Sequence, residues 1–195
     1  MSVRHSSSIQ NPDGSDIEKK RDIIYLGGLI SCDGKATREM SRRLGEGRGV
    51  FKSLDKLWSN SSLNWHRKVA IFNACVTSKV MWSLESCWLL QADRVRLDAF
   101  QAYCLRRIFR ILPSYFSRVS NLSVRERAYQ SSFCSLLENR QVRLFNKIQS
   151  LPCTNFTKRL VCDTNGMPKL WHNRRSRGRP CQIWSTSVYR LIHPT

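Results

Sequence analysis

Carboxylates and imidazoles are the side chains that could hold a metal or move a proton, and this chain has few: Asp+Glu 14 and His 4 among 195 residues. Two-metal chemistry needs carboxylates held close together. Here the Asp residues are scattered, and Asp93 stands without a second Asp beside it in QADRVRL. His5, His66, His172 and His193 fall in no nucleophile–base pattern, and there is no phosphate loop of the G-x-x-x-x-G-K-S/T type. The eight cysteines contain no C-x-x-C pair, and the gaps between Cys153, Cys162, His172 and Cys181 are unlike those of compact zinc knuckles. Cys75 and Cys104 occupy apolar helical positions, where a free thiol acts as a small hydrophobe. The expectation is a chain with no catalytic site of its own, no metal and no cofactor. With a polar N-terminus and no signal peptide, its thiols are expected to be reduced and intracellular.

Cations carry the stronger signal. Lys+Arg 33 gives a net charge of +19, distributed as −1 over residues 1–34, +9 over 35–111, +4 over 112–157 and +7 over 158–195. An excess of this size points to a polyanionic partner, because each phosphate neutralised releases condensed counterions. A membrane is not the polyanion expected: the most apolar stretch, VAIFNACVTSKVMWSLESCWLL, is interrupted by Lys79 and Glu85.

The elements that must position these cations follow from periodicity. Residues 1–16 are Ser-rich and polar with Asn-Pro and Asp-Gly breakers, and are expected to be disordered. Residues 17–35 read as a β-hairpin: Ile23–Tyr25, a break at Gly27-Gly28, Leu29-Ile30, then an Asp33-Gly34 turn. A helical bundle is expected over 36–151. Its first helix, about Thr37 to Trp58, has Met40, Leu44, Gly47, Phe51, Leu54 and Trp58 on one face and Arg38, Arg42, Lys52 and Lys56 on the other. A second helix runs from about Trp65 to Trp82. The third, about Asp93 to Ile111, turns Leu97, Phe100, Cys104, Ile108 and Ile111 inward and is stopped by Pro113. Arg96, Tyr103, Arg106, Arg107 and Arg110 share its outer arc. Ser123 and Glu126 have capping-box spacing for a short fourth helix, and Phe133 to Leu151 forms a fifth. The fold class is therefore mainly α, a short N-terminal hairpin followed by about five helices.

Acids that would compensate the cationic arcs look nearly absent, so Arg38, Arg42, Lys52, Lys56, Arg96, Arg106, Arg107 and Arg110 are the candidate phosphate contacts. Tyr103 is the candidate for a sugar or base. Residues 152–195 read as an extended basic tail. Within it RRSRGRP holds Arg174, Arg175, Arg177 and Arg179, and an Arg-Gly-Arg-Pro core resembles an AT-hook that enters a narrow A·T minor groove.

The order of these pieces resembles the C-terminal part of a non-LTR (LINE-type) retrotransposon reverse transcriptase. The likeness spans residues 23–184 and rests on YLGGLISCDGK, RRLGEGRGVFKSLDKLW, the stretch through LESCWLL, RLDAFQAYCLRRI and RGRPCQIW, in that order. It implies that the Tyr25-Leu26-Gly27 strand is the last edge of a polymerase palm, followed by thumb and connection helices. In that family the catalytic aspartates lie upstream, on an aromatic-Ala-Asp-Asp turn that residues 1–22 do not contain. The implied activity is binding of an RNA–DNA hybrid or template–primer, in the nucleus rather than the cytoplasm, without nucleotide joining. Three other readings remain open: A·T-rich duplex binding through the tail, a helical module that docks on a palm or full-length reverse transcriptase, and a remnant without a role. Exposed apolar side chains near Tyr25, Leu29 and Ile30 would mark the docking module. Against the family's pattern, Gly45, Gly47 and Gly49 replace helix formers, which predicts a weak first helix. Trp82-Ser83 replaces a usual Tyr-Gly, and Asn146 stands where Gly is common.

Overall fold

The computed structural model describes residues 12–15, 20–169 and 183–194. It is mainly helical with an N-terminal antiparallel hairpin, the class the periodicity predicts. Strands β1 (Asp22–Tyr25) and β2 (Gly28–Ser31) pair with Tyr25 opposite Gly28 and Ile24 opposite Leu29. The two linking residues, Leu26 and Gly27, both have positive φ (48° and 80°), as the right-handed twist of a two-residue hairpin demands.

Helix α1 (Thr37–Ser53) ends earlier than its apolar repeat suggests. The chain breaks at Leu54, and α2 (Asp55–Ser59), which carries Lys56, restarts beyond it. The break lets Trp58 fold back: its indole is buried, stacks on Phe51 with ring centroids 5.0 Å apart, and donates to the Phe51 carbonyl at 2.8 Å. The expected second helix is α3 (Trp65–Ile71), a π-helical turn (Phe72–Thr77) and α4 (Ser78–Val80) in succession. The wider π turn keeps Phe72, Val76 and Val80, four residues apart, on one buried face.

The long helix α5 (Gln91–Phe109) is the centre of the bundle. Arg110, at φ 57°, closes its C-terminus. A short α6 (Ser114–Ser117) and α7 (Asn121–Arg127) follow, the latter capped by Ser120 accepting from the Ser123 amide rather than by the expected Ser123/Glu126 box. Helix α8 (Phe133–Gln149) has its first amides satisfied from α5: Gln101 accepts from Phe133 N at 3.1 Å and Asp98 from Cys134 N at 2.9 Å.

Where a basic extended tail was expected, α9 (Phe156–Val161) and α10 (Trp184–Ile192) are helical. Trp184, Val188 and Ile192 recur every fourth residue and close a second small core with Phe145, Ile148 and Cys162. The Trp184 indole donates to the Glu85 carbonyl at 2.9 Å, which ties α10 back to the turn at 84–86.

Gly47 is a packing requirement rather than a defect. A Cβ there would overlap Val80 and press on the Phe100 ring at 3.4 Å, so α1 lies directly against α4 and α5 at this point. Gly45 and Gly49 face open space and do weaken the helix. Ser83 presents the opposite case, a β-carbon at φ 68°, where left-handed backbone costs a non-glycine residue about 1 kcal/mol or more. Thermal unfolding is expected to separate these positions. Gly47→Ala lowers Tm by about 5 °C or more through overpacking, while Ser83→Gly raises it by about 2 °C. A neutral Gly47→Ala would remove the close approach from the account.

Candidate nucleic-acid interface

The hairpin is held by charge, and that use of charge decides which cations are left for a ligand. Glu39 and Arg43 are buried to 1% and 3% exposure. The Glu39 carboxylate accepts from Leu29 N at 3.0 Å, from Arg42 Nε at 2.8 Å and from Arg43 Nε at 2.7 Å. The tyrosine–glycine pair that closes the turn exchanges its hydrogen bonds internally, so Leu29 N–H points off the outer edge of β2 and meets this carboxylate. Both guanidinium groups also donate to the Gly27 carbonyl in the turn. Glu46 completes the set with Arg42, Arg43 and Lys79.

Arg42 is therefore a structural cation, a correction to its place among the phosphate contacts. Hydrogen bonds to Glu39, and then the charges of Glu39 and Glu46, push its pKa up and hold its donors inward. Arg106 is the second correction. It lies on the wall that α5 turns toward α7, at 8% exposure, not on the solvent arc. Its nitrogens donate to the carbonyls of Leu112 (2.9 Å) and Val119 (2.6 Å) and to Asn121 Oδ1 (3.0 Å), so the guanidinium ties the 110–121 segment to α5. The expected scarcity of acids also fails: Arg38 pairs with Asp22, Arg96 with Asp93, and Arg107 with Asp55.

What remains is a narrower set. Lys52 and Lys56 are exposed, and neither makes an ion pair among the described residues. Arg107 is exposed, and its pairing with Asp55 is a surface contact of small worth that a phosphate can replace. Arg110 donates one Nη2 hydrogen to the Ser59 carbonyl at 2.6 Å. Arg96 spans Asp93 and Ser41 Oγ with its side chain 48% exposed.

All of these except Lys56, which lies outside both, line two adjoining depressions between α1–α2 and α5. One, of about 710 Å³, is walled by Arg48, Lys52, Arg96, Phe100, Tyr103 and Arg107. The other, of about 780 Å³, continues past Tyr103 and Arg107 to Arg110, Leu112 and Tyr115. Tyr103, 61% exposed and edge-on to Phe51, stands at their junction. Arg48 is missing from the sequence reading. Its spacing of four from Lys52 was the available signal, but it sits between Gly47 and Gly49, where the chain looked like a poor helix.

Arg38 lies beside the hairpin, outside both depressions. The tail cations Arg174, Arg175, Arg177 and Arg179 lie outside the described residues. Cys153 and Cys162 share a small cavity with Lys158 and Lys169, while His172 and Cys181 are outside the described residues. Burial pushes the Cys104 and Cys134 thiols up, the latter to about 12, whereas Cys75 is exposed. No helix among the described residues is long and apolar enough to cross a membrane. No family model, curated protein or solved structure matches the chain.

The two adjacent arginines of α5 are expected to behave oppositely. Arg106→Ala leaves buried carbonyls unpaired and costs about 3 kcal/mol, whereas Arg107→Ala stays within about 0.5 kcal/mol of the parent. Urea denaturation of both variants reads the difference, and equal effects would contradict the burial assignment.

Proposed function

We propose that this chain binds nucleic acid along the depression between α1–α2 and α5, an RNA–DNA hybrid or template–primer being its ligand, and that it joins no nucleotides itself. The observation that carries the reading is the row of Arg48, Lys52, Arg96, Arg107 and Arg110 on either side of an exposed tyrosine. Spaced cations with an aromatic among them suit a strand whose phosphates are neutralised in turn and whose sugars or bases rest on a ring. The order of sequence motifs, which resembles the palm edge, thumb and connection of a non-LTR reverse transcriptase, supports the same reading. A nuclear location belongs to this proposal.

A second reading is supported by the hairpin. Ile23, Ile24, Tyr25, Leu26 and Ile30 are all exposed, and Leu29 is half-buried. Apolar side chains gathered on a two-stranded ribbon are the feature expected if the hairpin completes the sheet of a palm. This reading is compatible with the first, since the groove and the hairpin lie on different parts of α1.

Fluorescence anisotropy with a labelled blunt hybrid, compared with A·T-rich and G·C-rich duplexes over a salt series, tests the groove. A log–log salt slope of about −4.5 is expected if all five cations meet phosphates. Charge reversal of Lys52 and Arg107 should weaken hybrid binding by about tenfold or more. Unchanged hybrid affinity in that double variant would defeat the groove reading, and a preference for A·T-rich duplex would move the function to the RGRP tail.

A further inference from the structure

A groove that only tracks the outside of a duplex needs cations, not an apolar cavity. The half of the depression beyond Tyr103 is different in kind from the half before it. Trp58, Ala102, Ile111, Leu112, Pro113 and Tyr115 supply an apolar, partly aromatic wall, and Arg107 and Arg110 stand at its rim. Its volume of about 780 Å³ is in the range of cavities that take small organic ligands. Tyr115 is 69% exposed and Leu112 64%, so both present apolar surface with nothing covering it.

The wall is also prearranged. Arg106 spans from α5 to the Leu112 and Val119 carbonyls, and Asn121 Oδ1 receives both its Nε and Nη2. The segment between, including Pro113 and Tyr115, is thereby anchored to α5 at both of its ends. A buried guanidinium fully used on neutral oxygens binds no phosphate; it holds a surface in shape, which reduces the ordering cost of binding.

We infer that this cavity receives an unpaired nucleobase: the first unpaired nucleotide of a single strand that leaves the duplex lying on the cationic half of the groove. The inference rests on the groove reading above and adds a ligand class to it. The chemistry is matched in two parts. A base stripped of its partner offers a flat apolar face for Tyr103 and Tyr115, and the phosphates on either side of it fall to Arg107 and Arg110. A base inside a duplex is stacked on its neighbours and has no face to offer. The two rim arginines, Arg107 and Arg110, favour an occupant that carries phosphates.

The test uses the full chain and two hybrids of the same paired length, one blunt and one with a short single-stranded overhang whose first unpaired position is 2-aminopurine. The overhang is expected to bind about five- to 150-fold more tightly than the blunt hybrid, the range that stacking of one base on an aromatic side chain supplies. The 2-aminopurine fluorescence is expected to be quenched on binding. Tyr115→Ala should abolish both the preference and the quenching. Tyr115 is exposed on a four-residue helix, so this variant is not expected to disturb the core, and Leu112→Ser provides an independent check on the same wall. Equal affinity for blunt and overhanging hybrids overturns the base site while leaving the groove intact. Absence of binding to either overturns both. A free mononucleotide that displaces the quenched signal at the concentration of the overhang itself would overturn the polynucleotide as the source of the base.

Discussion

Glu39 is the residue on which the arrangement of the whole N-terminal half turns. It is a carboxylate buried on helix α1 that faces two arginines of its own helix and a strand amide of the hairpin. Burying such a group is costly unless every lone pair is used, and removing one partner of a buried pair costs about 3–5 kcal/mol. The arginines in turn reach the Gly27 carbonyl, so the hairpin's turn and outer edge are both held by one charge cluster. The hairpin contributes little apolar contact of its own, since most of its large side chains face outward. Charge rather than a hydrophobic seam attaches it. That arrangement leaves the outer apolar surface uncommitted.

The same cluster bears on the groove. Helix α1 is fixed on one side by the hairpin and on another by Gly47, which lets it lie against Val80 and Phe100. Thr37 Oγ1 donates to the buried Asp93 at 2.7 Å and sets the start of α1 against the start of α5. The distance between α1 and α5 is thus specified at their starts and again near their middles, and the depression between them follows from it. Net charge is a poor guide to which cations line that depression. Arg42, Arg43, Arg94 and Arg106 serve the fold, while Arg48, Lys52 and Arg107 remain on the surface.

The hairpin was legible because Gly27 and Gly34 mark turns that other residues adopt at a cost, whereas the end of α5, set by the left-handed Arg110 rather than by Pro113, was not. Nor was Gly47. A sequence shows glycine as a weak helix former, and only the neighbouring helix shows why a β-carbon is excluded. Arg106 beside Arg107 looked like one cationic arc because a helix wheel with a single apolar face was assumed. Helix α5 is packed by α1, α7 and α8 on several sides, so its buried surface extends to Gln101, Ala102 and Arg106. The acids that neutralise the arcs were missed because Asp55 and Asp22 approach from other elements.

The central claim is that the cations between α1–α2 and α5, rather than the charge of the chain as a whole, meet the nucleic acid. Chemical footprinting of lysines and arginines with and without a bound hybrid, read by mass spectrometry, addresses it residue by residue. The account predicts protection of Arg48, Lys52, Arg96, Arg107 and Arg110, with Arg42 and Arg106 unreactive in both states and Lys79 unchanged. Protection confined to Arg174, Arg175, Arg177 and Arg179, with the groove cations as reactive as in the free protein, would contradict it.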